Sequence, residues 1–183
     1  MALVLATIAT DDPVWEVCKQ TKRIRQFAID LQTVVIPDNL PLVHRHTNEP
    51  DRVIGRLVCW RLRGDTIRAA FEIADEGDNQ ALVDSLAWRG RPVSIGYTPK
   101  YLWPVEPNTT TELQGWPYRA GPDGLQIALF AKFVHVAIVE EPADPRCFVT
   151  EIYREEPEPI QPASLGAFTR VTRQRHITVL DRL

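Results

Sequence analysis

Short apolar runs broken by turn residues recur along the chain, whereas long helical stripes are scarce. Runs rich in Val, Ile, Leu and aromatic residues occupy 2–9, 26–36, 56–63, 66–74, 92–103 and 125–139. Such runs, bounded by turn residues, predict strands. The clearest hairpin spans Arg56–Asp75, with Arg63-Gly64-Asp65 as its turn. In its second arm Ile67, Ala69, Phe71 and Ile73 alternate with Arg68 and Glu72, the period of a half-buried strand. One segment predicts a helix. Asp78 caps its start, Leu82, Val83, Leu86 and Ala87 form one stripe, and Gly90 stands at its stop. A second, shorter helix is predicted over Val14–Arg25. Residues 104–124 hold Pro104, Pro107, Pro117 and Pro122 among threonines and glycines, which reads as a long loop between strands. The expected class is mainly β (α+β), because no strand–helix alternation supports a parallel sheet.

Composition narrows the setting. At 183 residues the chain fits one domain of ordinary size, able to fold without a disulfide or a metal. After residue 154 the text turns to Glu-Glu-Pro-Glu-Pro-Ile-Gln-Pro, a stiff acidic linker. A tail with Arg170, Arg173, Arg175 and Arg182 follows. The expected division is therefore a folded domain over 1–155 and a linker with a basic tail over 156–183. The net charge of −3 argues against a dedicated nucleic-acid binder, whose domain is usually strongly basic. No stretch approaches the ~20 apolar residues of a membrane helix. The opening residues 1–9 lack a basic n-region and run into Asp11 and Asp12, so they read as a first strand, not a signal peptide. Cys18, Cys59 and Cys147 are odd in number and lack C-x-x-C spacing, which speaks against a disulfide framework or a four-cysteine zinc site.

Four histidines are available: His44, His46, His135 and His176. His44 and His46 are two apart in an extended-looking segment, so both would point the same way and could hold a metal with His135. His135 shares the odd positions of 125–139 with Leu125, Ile127, Leu129, Ala131, Phe133, Ala137 and Val139. By that pattern alone it reads as a core histidine with a polar partner. Ser94 lies in Arg91-Pro92-Val93-Ser94-Ile95-Gly96-Tyr97, which is not the G-x-S-x-G elbow of the α/β-hydrolases. A serine acts as a nucleophile only with a base in reach and a third group orienting that base.

The order of segments adds a resemblance. Pro41-Leu42-Val43-His44-Arg45-His46 is followed by Val53-Ile54-Gly55-Arg56-Leu57 and then by Val93-Ser94-Ile95-Gly96-Tyr97. Phe133-Val134-His135-Val136-Ala137-Ile138-Val139 comes next, with Pro142-Ala143 after it. Over about residues 25–150 this resembles the prohead (capsid maturation) serine proteases of tailed bacteriophages, themselves related to the herpesvirus assemblin proteases. That family has a P-L-L-x-x-H segment, an I-G-R strand, an S-x-G-F/Y strand and an E-V-S-L-V strand ending in P-A.

The resemblance implies a closed antiparallel β-barrel flanked by a few helices. It implies Ser94 as nucleophile and His46 as general base. His135 falls where many phage members carry an acidic residue, and its role by the same resemblance is the orienting third member of a Ser-His-His set. A second imidazole can accept the Nδ1 proton of the base, but it stabilises an imidazolium less than a carboxylate does, which predicts a slow enzyme. Glu140, Glu141 or Asp144 could supply the orienting group instead. The implied activity is that of an endopeptidase inside the immature procapsid, in the host cytoplasm, without cofactor or metal. Its implied partners are the major capsid protein with its scaffolding segment, and the protease itself through autocleavage. The herpesvirus relatives are dimers, so a homodimer is among the expected assemblies; no membrane and no specific nucleic acid are implied. The other reading of the same resemblance is a catalytically inactive β-barrel that binds or scaffolds capsid subunits.

Overall fold

A computed structural model of the chain describes residues 2–17, 24–45, 53–73, 84 and 88–154. The strands in chain order are β1 (Ala2–Thr10), β2 (Val14–Val17), β3 (Ile24–Ile29), β4 (Pro41–His44), β5 (Val53–Arg63), β6 (Thr66–Ile73) and β7 (Val93–Thr98). They continue as β8 (Tyr101–Val105), β9 (Thr110–Leu113), β10 (Trp116–Arg119), β11 (Leu125–Leu129), β12 (Lys132–Ile138) and β13 (Val149–Arg154). A seven-stranded sheet runs β13-β1-β6-β5-β4-β12-β7, and a four-stranded sheet runs β2-β3-β11-β8. The hairpin β9–β10 packs Tyr118, Trp116 and Leu113 against Ala28, Val105 and Ile127 of the smaller sheet.

The hairpin of 56–75 forms as its alternation predicts. Ile67, Ala69, Phe71 and Ile73 are buried in the main core, Glu72 is exposed, and Gly64 takes the left-handed turn conformation (φ 60°). Main-core partners come from every strand of the large sheet, among them Val4, Leu42, Ile54, Phe133 and Val149. Each such side chain contributes roughly 1.5–3 kcal/mol when fully buried.

The expected closed barrel flanked by helices is not what forms. Among the described residues strands take 64% and helix 1%, and the large sheet is an open half-barrel. Among the described residues its edges β7 and β13 meet where they begin, through the bridge Pro92↔Phe148 and neighbouring bonds such as Val93 N–H to Cys147 O. Phe27 and Ile29 of the smaller sheet line one cavity with Ile8, Val93 and Ile95 of the large sheet. Both sheets are also mixed, since β4 pairs β12 in parallel and β3 pairs β11 in parallel.

The helix predicted over Val14–Arg25 is replaced by β2 and β3, paired antiparallel from Val14↔Phe27 to Val17↔Ile24. Cross-strand pairing with a strand that buries Phe27 and Ala28 outweighs the local helical pattern. The stripe Leu82, Val83, Leu86 and Ala87 of the other predicted helix lies outside the described residues, as do the linker and basic tail. The supposed loop of 104–124 contains β9 and β10, joined by Gln114 and Gly115 at φ 51° and 83°. Two successive positive φ values are the geometry of the tight hairpin turn whose twist matches the strands. The prolines concealed it: Pro117 sits on this isolated two-stranded ribbon, where a missing N–H is tolerated.

Two polar knots tie the layers. The buried Asp30 accepts the N–H of Gln32 and the hydroxyls of Thr33 and Tyr118, linking the end of β3 to the outer hairpin. Arg146 lies among Asp12 (2.8 Å), Asp65 (3.2 Å), Asp144 (3.8 Å) and Asp11 (3.9 Å), joining the ends of β1 and of the β5–β6 hairpin. The Asp11 carboxyl is held above its ordinary value by burial first, then by Asp65 and Asp12, with Arg146 opposing. The folded state therefore holds that proton more tightly than the unfolded chain does. Its contribution favours folding below the unfolded pKa and is lost as pH rises through the folded one. Asp11→Asn is accordingly expected to remove this pH slope and to unfold at a urea midpoint no lower than wild type near pH ~7. Urea titrations across the acid range check it.

Candidate active site

β7 reads Val93-Ser94-Ile95-Gly96-Tyr97-Thr98 and is an edge strand of the large sheet. Val93 is fully buried in the main core, with Ile95 and Tyr97 packed against it. Alternation therefore turns Ser94 and Gly96 to the opposite face. Its neighbour β12 follows a less obvious pattern. Phe133, Val136 and Ile138 all enter the core, although one is odd-numbered and two are even. The switch is a β-bulge: Phe133 pairs with Tyr97 and His135 with Gly96, leaving Val134 as the extra, exposed residue. A bulge shifts the side-chain alternation by one, and here it re-aims an imidazole.

His135 is consequently not the core histidine that the odd-position stripe predicts. The stripe holds through Ala131 and Phe133, both fully buried, and breaks at Val134. His135 is half-buried on the face away from the main core, and its ring lies against Gly96 of the neighbouring strand. Ser94 is opposite Ala137 on that same face. Ser94 and His135 are thus diagonal neighbours across one antiparallel pair, a separation of about 7–8 Å between backbones that long or aromatic side chains can span. Ser94 is half-buried, and its row continues through Ala137 and Val43, both buried.

His46 lies outside the described residues. The strand leading to it, β4, runs parallel to β12 with Val43 beside Ala137 and His44 beside Ile138. It ends there, because Arg45 takes a left-handed backbone (φ 65°). The extended His44-x-His46 reading fails at that residue, and with it the reason for both rings to point the same way. His44 shares its row with Ile138, on the core side of the sheet, whereas His135 lies on the other side. A metal held jointly by His44, His46 and His135 does not fit two ligands on opposite faces. Among the described residues no group of three or more His, Cys, Asp and Glu side chains is placed to hold a metal.

Two of the three acidic alternatives for the third position, Glu140 and Asp144, are engaged elsewhere. Glu140 and Glu141 are exposed, and Glu140 reaches Arg45 at 3.9 Å. Asp144 accepts the Thr10 hydroxyl, the Arg146 N–H (2.9 Å) and the Cys147 thiol. Burial, then the adjacent Asp144, push the Cys147 thiol far up, so the thiolate is suppressed. Iodoacetamide at pH ~8 is expected to spare Cys147 in the folded protein and to modify it on unfolding, read by peptide mass.

A small cavity of ≈ 40 Å³ opens beside β7, between the end of β1 and the smaller sheet, with Ser94 among its lining residues. Ile8, Phe27, Ile29 and Ile95 line it, with Glu16 and Asp144 among its polar groups. The Tyr97 phenol is pushed up by burial and then by the Glu16 carboxylate that accepts its hydrogen bond. Two features shape the site beyond what the motif reading says, the Val134 bulge and the space that Gly96, itself a motif residue, leaves for the His135 ring. Only the second had a signal in the chain, an isolated glycine inside a strand run.

Comparison of the chain with protein-family models, with curated proteins and with solved structures finds no match.

Proposed function

We propose that the chain is a serine endopeptidase of phage or prophage head maturation, cleaving the scaffolding segment of the major capsid protein, and itself, during procapsid assembly. The observation that carries the chemistry is the diagonal placement of Ser94 and His135, distant in sequence, on one face of the β7–β12 pair, away from the main core. The four motifs in family order carry the biological setting. Ser94 Oγ attacks the scissile carbonyl while His46 takes its proton, with His135 orienting the base. The proton passes to the leaving amine, an acyl-enzyme on Ser94 Oγ remains, and water releases it.

The test is intact mass after treatment with a fluorophosphonate, together with co-expression of the accompanying major capsid protein. One adduct per chain and a shortened capsid subunit are expected. A folded protein that takes no adduct and leaves the subunit at full length would instead be a shell-binding protein without catalysis. An adduct without capsid processing would keep the serine hydrolase and remove the capsid substrate.

A further inference from the structure

We infer that Gly96 is a positioning residue: the side chain it lacks is the space in which the His135 imidazole is seated. The inference rests on the serine-hydrolase reading above and adds to it a residue that touches neither substrate nor the reacting atoms. A Cβ built at position 96 would lie 2.5 Å from His135 Cε1, 2.6 Å from Nε2 and 3.0 Å from Nδ1. Contact with three ring atoms at once means that the ring lies over the Gly96 backbone, not merely near it.

Backbone conformation does not account for this glycine. Gly64, Gly90 and Gly115 have positive φ and open space around them, so each serves a turn. Gly96 has no positive φ and stands inside a strand, where glycine weakens the sheet and packs nothing. Space is what remains. The device has two halves on one rung: the Val134 bulge turns His135 off the core side, and Gly96 opposite it clears the floor. The seated ring occupies the row beside the Ser94–Ala137 row, on the same face. A methyl at 96 forces the ring to rotate away, and a displacement on the scale of 1 Å in a catalytic array costs about 100-fold in rate.

The experiment is a double-mutant cycle with Gly96→Ala, His135→Ala and the double variant in the full chain. Two readouts are followed, the fluorophosphonate labelling rate across pH and the urea midpoint. Gly96→Ala is expected to slow labelling by about 100-fold and to move the pH midpoint as His135→Ala does. In the His135→Ala background the same change is expected to do nothing further to either readout, because no ring is left to displace. If Gly96→Ala alone fails to fold, the double variant must fold. Equal losses from Gly96→Ala with and without the imidazole would overturn the seat. Coupling in the urea midpoint without any labelling of wild type would overturn the positioning role and, separately, the serine reading, leaving only a packing contact.

Discussion

Ser94→Ala is expected to abolish fluorophosphonate labelling and to cut peptide-bond cleavage by more than ~10⁴-fold, the scale on which a nucleophile's loss is felt in serine hydrolases. The change removes one oxygen from a half-buried position on a strand whose fold-determining contacts, Val93, Ile95 and Tyr97, point the other way. Its direct effect on stability should therefore stay within about 0.5 kcal/mol. A loss of activity with an unchanged urea midpoint is then a loss of chemistry, not of fold. His46→Ala should reduce labelling strongly without eliminating it, since the hydroxyl remains but its base is gone. Persistent labelling or persistent capsid trimming in Ser94→Ala would move the nucleophile elsewhere and remove the main support for the proposed mechanism.

The largest effect on stability is expected at Gly55, in the centre of the large sheet. Gly55 pairs with Leu42 on one side and Ile73 on the other, and it is buried. A methyl there would sit 2.6 Å from the backbone oxygen of Glu72 and 2.8 Å from Ile73 Cδ1. The isoleucine tip can rotate. The carbonyl cannot move without shifting β6, which is itself laddered to β1 along Ala2–Thr10. Overpacking of this kind costs about 3 kcal/mol, set against less than ~1 kcal/mol recovered from the stiffer unfolded chain. A net loss near 2–3 kcal/mol corresponds to a fall in Tm of roughly 5–10 °C for a protein of this size. Gly121→Ala is the internal comparison. Its methyl would meet the Gln26 amide tip at 2.8 Å, a flexible group, so a smaller loss is expected there. Thermal melts of the two variants side by side check the ranking, and equal losses would refute the backbone argument at Gly55.

Much of the strand content was legible in the chain because it is local. The period-2 run Ile67–Ile73, the turn at Gly64 and the apolar opening of β1 each follow from side-chain alternation over a few residues. Where local signals compete, pairing decided the outcome. Val14–Val17 could satisfy a helical pattern, but the strand is selected by the partner that β3 offers. The hairpin of β9 and β10 was hidden by prolines that a two-stranded ribbon tolerates. Closure of the large sheet is likewise not local, since it depends on whether strands far apart in sequence meet along their length. Here, among the described residues, β7 and β13 meet at one bridge.

The candidate site divides along the same line. Ser94 and the glycine two residues beyond it could be picked out from the chain, because residue type and spacing carry that information directly. The placement of His135 could not. Counting every second residue from Leu125 put it in the core, and one unpaired residue, Val134, reversed the face. A bulge is a property of two strands, visible only once β12 is laid against β7, so no count along a single strand reveals it.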